Sequence, residues 1–175
     1  MLAVGLCRWV PACIQLFFKG ELSRDGAKAA LLFECLKTQT PEALATSAAT
    51  FADKWLPKHL NPDTHARLCA HQAQGDRVVV VSAAPDIWMH AVCNALSVEC
   101  ICTEMARNTK GQLQPGFKGR NCRGAEKENR IRAAFLLADF DQIVAYGNSS
   151  GDREMLQLAD EAWFCKKNGQ LIRLK

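Results

Sequence analysis

The sequence predicts an α/β fold, a parallel sheet covered by helices and preceded by a segment that is helical throughout. Three observations carry this reading. A continuous β-branched run, "RVVVVSAAP", begins at Arg77 and suits a strand buried on both faces of a parallel sheet. From there onward strand-like and helix-like segments alternate, which implies parallel strands joined by right-handed crossovers. Residues 10–72, by contrast, carry only helical patterns. The chain therefore divides into a helical region, 1–72, and an α/β core, 73–175.

Taken in order, the apolar N-terminus "MLAVGLCRWVPACIQLFFKG" is interrupted by Arg8 and Lys19 and bent by Pro11, so it is too short to span a bilayer. No basic residue precedes its apolar part, which argues against a signal peptide. A core-facing helix is the favoured reading, and an interfacial helix resting on lipid is the alternative. "SRDGAKAALLFECL" opens with Ser23 as a cap. "TPEALATSAATFADKWL" starts with Thr40 as N-cap and Pro41 at the first helical position, and "NPDTHARLCAHQAQG" starts at Asn61-Pro62 and ends at Gly75; these are helix start and stop signals. After the valine run, "DIWMHAVCNAL" reads as a helix and "SVECICTEM" as a second strand. The polar stretch from Arg107 to Asn121 reads as a hairpin or long loop. "GAEKENRIRAAFLLA" is a helix, "QIVAY" a strand, "DREMLQLAD" a helix and "EAWFC" a strand, with a hairpin signal at Asn168-Gly169 closing the chain.

Composition narrows the function classes. Hydrophobic content of 49% with 23% charged residues is globular. A net charge of +4 fits an anionic small molecule at least as well as nucleic acid, whose readers carry a denser basic stripe. The basic residues Lys118, Arg120, Arg123, Lys127, Arg130 and Arg132 lack interleaved aromatics, which argues against single-strand binding. The nine cysteines form no C-x-x-C, and His90, Cys93, Cys100 and Cys102 match no zinc spacing, so the thiols read as buried or free ones in a reducing cytoplasm.

In open α/β sheets ligands bind beyond the carboxyl ends of the strands. Two such ends are polar here: Ser82 directly after four valines, and the turn from Asn148 to Asp152. A hydroxyl ahead of a helix N-terminus suits an oxyanion or phosphate, and an amide plus a carboxylate are hard oxygen donors suited to Mg²⁺. Arg123 and Lys127 lie between them in sequence as cations for a phosphoryl group. Asp139 and Asp141 form a D-x-D pair, but they precede a strand and so fall at the amino edge of the sheet, away from this site.

These motifs in this order resemble the haloacid dehalogenase superfamily of phosphatases. The branch is subfamily IB, which contains phosphoserine phosphatase and phosphatidylglycerophosphatase C-like proteins. "VVVVSAAP" is similar to the family's second motif, "NCRGAEKENRI" to its third and "YGNSSGDREML" to its fourth, and the helical region containing "KGELSRDGAKAALL" is similar to its cap. The resemblance implies a three-layer Rossmann-like core and Mg²⁺-dependent hydrolysis of a phosphomonoester, a small metabolite or a lipid phosphate, through an aspartyl-phosphate. It assigns phosphate binding to Ser82, Ala83, Lys127 and Arg123, catalytic roles to Ser82 and Lys127, and the metal to Asn148 and Asp152.

Two departures qualify that expectation. The family's nucleophile lies in a D-x-D-x-T motif at the end of a first strand, and no such segment occurs in these 175 residues. Asn148 stands where Asp is more usual, so the metal site keeps one carboxylate. The sequence therefore admits a second reading, a non-catalytic protein that binds a phosphorylated ligand. Loss of a central strand would leave unpaired edges, and self-association with them. A cytoplasmic location is expected, with peripheral contact at the inner membrane face allowed by the apolar N-terminus.

Overall fold

The computed structural model describes residues 23–175; the N-terminal stretch expected to form a core-facing helix, 1–20, lies outside them. Among the described residues four helices come first: α1 (Arg24–Leu36), α2 (Pro41–Lys54), the short α3 (Leu56–His59) and α4 (Pro62–Ala73). Their starts are set by side chains that accept the free amides of the first turn. Ser23 Oγ accepts from Gly26 N at 3.0 Å, Thr40 Oγ1 from Ala43 N at 3.2 Å and Asn61 Oδ1 from Thr64 N at 2.9 Å. Gly75, at φ +80°, provides the left-handed residue that ends the helical region.

The core follows as β1 (Val79–Pro85), α5 (Asp86–Ala95), β2 (Glu99–Thr103), β3 (Met105–Arg107), β4 (Leu113–Phe117), α6 (Ala125–Ala134), β5 (Val144–Gly147), α7 (Arg153–Leu158), β6 (Glu161–Cys165) and β7 (Leu171–Arg173). β1 pairs with β2 in parallel, with Val80 opposite Cys100 and Ser82 opposite Cys102. β5 pairs with β6 in parallel, and β6 with β7 antiparallel. Among the described residues the parallel pairs β1–β2 and β5–β6 thus lie in two separate ladders, the second extended by antiparallel β7. Between them runs one ammonium. Lys127 Nζ, on α6, donates to Val81 O in the first ladder and to Asp152 Oδ1, just past β5, each at 2.6 Å.

Two apolar clusters hold the layers. Ala145, Leu156, Ala159 and Ala162 pack α7 onto β5 and β6, with Ile143 and Phe164 beside them. Ile87, Met105 and Leu113 join the β3–β4 hairpin to the helical region through Leu32, Phe33, Leu36 and Leu44. Burying side chains of this size stabilises by about 1.5–3 kcal/mol each. At this junction the buried Asp86 accepts from Met105 N at 3.1 Å and from Arg107 Nη1 at 2.5 Å. No helix among the described residues is long and apolar enough to cross a membrane.

Three details differ from the sequence reading. The β1 valines are half-buried rather than buried on both faces, because among the described residues β1 has a single strand neighbour. "SVECICTEM" breaks into β2 and β3 around Glu104. The fully buried Thr103 there turns its hydroxyl to the loop, accepting from Cys122 N and donating to Asn121 Oδ1. The helix expected through Ala138 ends at Ala134. Phe135 is extended and packs edge-on against Phe140, under the Arg77 guanidinium.

Candidate active site

The carboxyl ends of β1 and β5 bring Ser82, Ala83, Lys127, Asn148 and Asp152 to one end of the core. Ser82 Oγ accepts from Ala84 N at 3.0 Å. The hydroxyl thus caps local backbone, while its proton remains free to donate to an anion. Immediately after the strand, α5 starts at Asp86 with Pro85 as its cap and no capping side chain, so its first-turn amides have no side-chain acceptor.

Lys127 and Asp152 are the buried ion pair of the site, their side chains 8% and 7% exposed. Asp152 Oδ1 receives Lys127 Nζ, and Oδ2 accepts from Asn148 N at 3.1 Å, Ser149 N at 2.9 Å and Ser149 Oγ at 2.8 Å. Burial alone would push the Asp152 carboxyl up; the bonds from Lys127, Ser149 and the Asn148 amide outweigh it and hold the group below its ordinary value. The turn closes tightly because Gly147 has no side chain. A Cβ there would stand 2.7 Å from Asp152 Cβ and 3.0 Å from Leu156 Cδ1. Gly151 has the same relation to Arg123, whose Cγ would be 2.9 Å from an added Cβ. Arg123 therefore lies along the turn, exposed, and Gly124 N donates to Gly151 O at 2.9 Å.

Asn148 is exposed. Its amide oxygen and the Asp152 carboxylate are hard donors that fit Mg²⁺ in kind. Glu154, two residues on, has a buried Oε2 without a hydrogen-bond partner among the described residues. Asp139 and Asp141 are exposed and precede β5, at the end of the strand opposite Asp152, as the sequence reading placed them.

Sequence reasoning missed Lys28. It is carried by α1, yet its ammonium donates to Ala83 O at 2.5 Å and to Asn121 Oδ1 at 2.9 Å. Asn121 in turn donates to Asp25 Oδ1 at 2.6 Å. Burial lowers the Lys28 pKa, with Asp25 opposing. The contact spans 55 residues, so no local pattern announces it. Sequence reasoning also set aside His90, Cys100 and Cys102, whose side chains the fold brings together.

A family profile described as haloacid dehalogenase-like hydrolase matches residues 6–157. The chain belongs to this family. Protein CicA from Caulobacter vibrioides is 34% identical over 158 residues, which cover 90% of this chain and 70% of CicA. Among solved structures, a protein of unknown function from Bordetella pertussis Tohama I superposes with a TM-score of 0.73 at 20% identity, covering 87% of this chain and 70% of that one. A probable phosphoserine phosphatase from Vibrio cholerae gives 0.64 at 17% identity, over 87% of this chain and 46% of that one. Both likenesses show the haloacid dehalogenase fold, with its Rossmann-like arrangement of helices around a parallel sheet.

Proposed function

We propose that this haloacid dehalogenase-like protein is a Mg²⁺-dependent phosphatase of the phosphoserine phosphatase branch, acting on a phosphomonoester of a small metabolite or a lipid. The observation that carries the reading is the Lys127 ammonium, held between β1 and the Asp152 turn beside Ser82. In that place it neutralises a phosphoryl oxygen while the Ser82 hydroxyl and the first amides of α5 donate to the others. Lys28 and the exposed Arg123 add positive charge at the mouth. Asn148 and Asp152 would hold the metal, which would supply charge neutralisation for the transferring group. The helical region, 1–72, acts in this reading as the cap over the core, 73–175.

A specific observation favours a second reading for these residues taken by themselves. Two carboxylates at this end of the core are already engaged, Asp25 by Asn121 and Asp152 by four donors. Neither is free to attack phosphorus, and no D-x-D-x-T occurs in the sequence. On this reading the chain binds a phosphorylated ligand without hydrolysing it. A nucleic-acid role is disfavoured because Lys118, Arg130 and Arg132 pair with Glu104, Glu126 and Glu128, and Lys127 is buried.

The deciding experiment incubates the purified 175-residue chain with an aryl phosphate and Mg²⁺, alongside calorimetric titration with inorganic phosphate. Turnover that disappears in Ser82→Ala and Asp152→Ala establishes the phosphatase. Phosphate binding without turnover establishes the second reading. Absence of both overturns the site.

A further inference from the structure

Away from the phosphoryl pocket, the face of α5 that packs on β2 carries an unusual set of donors. His90 and Cys93 are three residues apart on the helix, which places them on one face. Cys100 and Cys102 alternate along β2, which also places them on one face. The ligand atoms of His90, Cys100 and Cys102 all lie within 4.8 Å of one another. Cys93 stands outside this set but lines the same cleft as His90 and Cys100. All three cysteines are free thiols.

We propose that His90, Cys100 and Cys102, with Cys93 as the fourth donor, bind a thiophilic metal ion, Zn²⁺ by the character of the set. Three thiol sulfurs and one imidazole nitrogen make a Cys₃His set, which zinc takes in tetrahedral geometry. Bond lengths of about 2.3 Å to sulfur and about 2.0 Å to nitrogen put neighbouring ligand atoms roughly 3.5–3.8 Å apart. Cys93, outside the observed set, must turn its thiol in, and the set itself needs a modest contraction. His90 can supply it, since its exposed ring makes no hydrogen bond to another described residue. Cys93 and Cys102 are 1% and 4% exposed, so the ion would be shielded on the protein side. On the other side a cleft of ≈ 540 Å³, lined by His90, Cys93, Cys100, Glu99, Arg77 and Phe135, gives an entry path. The spacing H-x₂-C-x₆-C-x-C matches no finger motif because helix and strand, not a loop, set the geometry.

The site has a consequence for the pocket. Cys102 is the β2 partner of Ser82, and Cys100 that of Val80. A metal clamping α5 to β2 therefore braces the strand that presents the Ser82 hydroxyl and the helix whose first amides face the same end.

The test uses the full chain, metal-free and with reduced thiols, titrated anaerobically with Co²⁺. One equivalent should bring up a thiolate-to-cobalt charge-transfer band and the visible bands of a tetrahedral ion, both bleached by Zn²⁺. His90→Ala should weaken Co²⁺ binding by roughly tenfold or more and leave the melt of the metal-free protein unchanged, so a folding defect cannot mimic the result. Cys100→Ser and Cys102→Ser should each lower the charge-transfer band, which scales with the number of thiolates bound, and the double variant should lose stoichiometric binding. Cys35→Ser/Cys69→Ser/Cys165→Ser and Cys7→Ser/Cys13→Ser should keep it. Absence of a stoichiometric band, its survival in Cys100→Ser/Cys102→Ser, unchanged affinity in His90→Ala, or its loss with Cys7 and Cys13 would each overturn the proposal.

Discussion

Replacing Lys127 by methionine keeps an unbranched side chain one atom shorter and removes the ammonium, with its charge and its donors. The variant leaves Asp152, 7% exposed on its side chain, as a buried carboxylate whose Oδ1 has lost its partner, and it removes the donor to Val81 O. Stranding one member of a buried pair costs about 3–5 kcal/mol, a large share of the roughly 5–15 kcal/mol by which a domain is stable. In a chain of this size each kcal/mol lowers Tm by about 2–4 °C, so the loss should be about 6–20 °C. Asp152→Asn should cost a similar amount, because it strands the ammonium instead. The double variant strands neither charge, and its cost should fall short of the sum by about 1–3 kcal/mol. Urea unfolding at pH 7, followed by circular dichroism, measures all four proteins. Acid unfolding adds a second readout with a defined sign. The folded Asp152 carboxyl titrates below its ordinary value, so its contribution is whole above about pH 4 and is lost as pH falls through the folded value. Without Lys127 the bond and the charge that lower that value are gone, so it moves up from the parent's, and Lys127→Met should unfold at a higher pH. Additive costs within about 0.5 kcal/mol, or an unmoved acid midpoint, would refute the coupling.

Gly147→Ala should destabilise by about 1–3 kcal/mol, since its Cβ meets Asp152 Cβ at 2.7 Å; a melt matching the parent's would show that the turn relaxes freely. Ser82→Ala gives up one local bond, to Ala84 N, worth about 0.5–1.5 kcal/mol, but should weaken inorganic phosphate binding about tenfold or more by calorimetry; equal affinity would remove Ser82 from the pocket. Lys28→Met should weaken phosphate binding while leaving stability at pH 7 equal or higher. Burial lowers the folded pKa of Lys28, so the unfolded chain holds its proton more firmly, and the parent should gain stability as pH rises from the folded value toward 10.5. That gain should vanish in Lys28→Met, and a clear loss of stability at pH 7 would contradict it.

Much of this was legible in the sequence because the chemistry is local. Ser23, Thr40 and Asn61 announce helix starts through side chains that reach amides three residues on. The valine run before Ser82 marks a strand, although β1 runs on past Ser82 to Pro85, and the glycine-flanked turn at Asp152 marks the exit of β5. The D-x-D pair at Asp139 and Asp141 could be dismissed from its position before a strand. What stayed hidden depends on distance along the chain. Lys28 reads as one more helix lysine until the fold lays α1 across Ala83 and Asn121. His90 meets Cys100 and Cys102 only once α5 lies on β2. The break after Thr103 is set by bonds to Asn121 and Cys122, which no β propensity encodes.

The route taken by Lys28 links admission to charge. Its stem belongs to α1, but its ammonium is bonded to Ala83 O and Asn121 Oδ1 and stands 5.4 Å from the centre of the Phe117 ring. Any outward swing of α1 withdraws a cation from beside Ser82 in the same motion. On the proposed phosphatase reading, the doorway would be widest when it attracts an anion least, and closing it would restore the missing charge around a doubly charged guest.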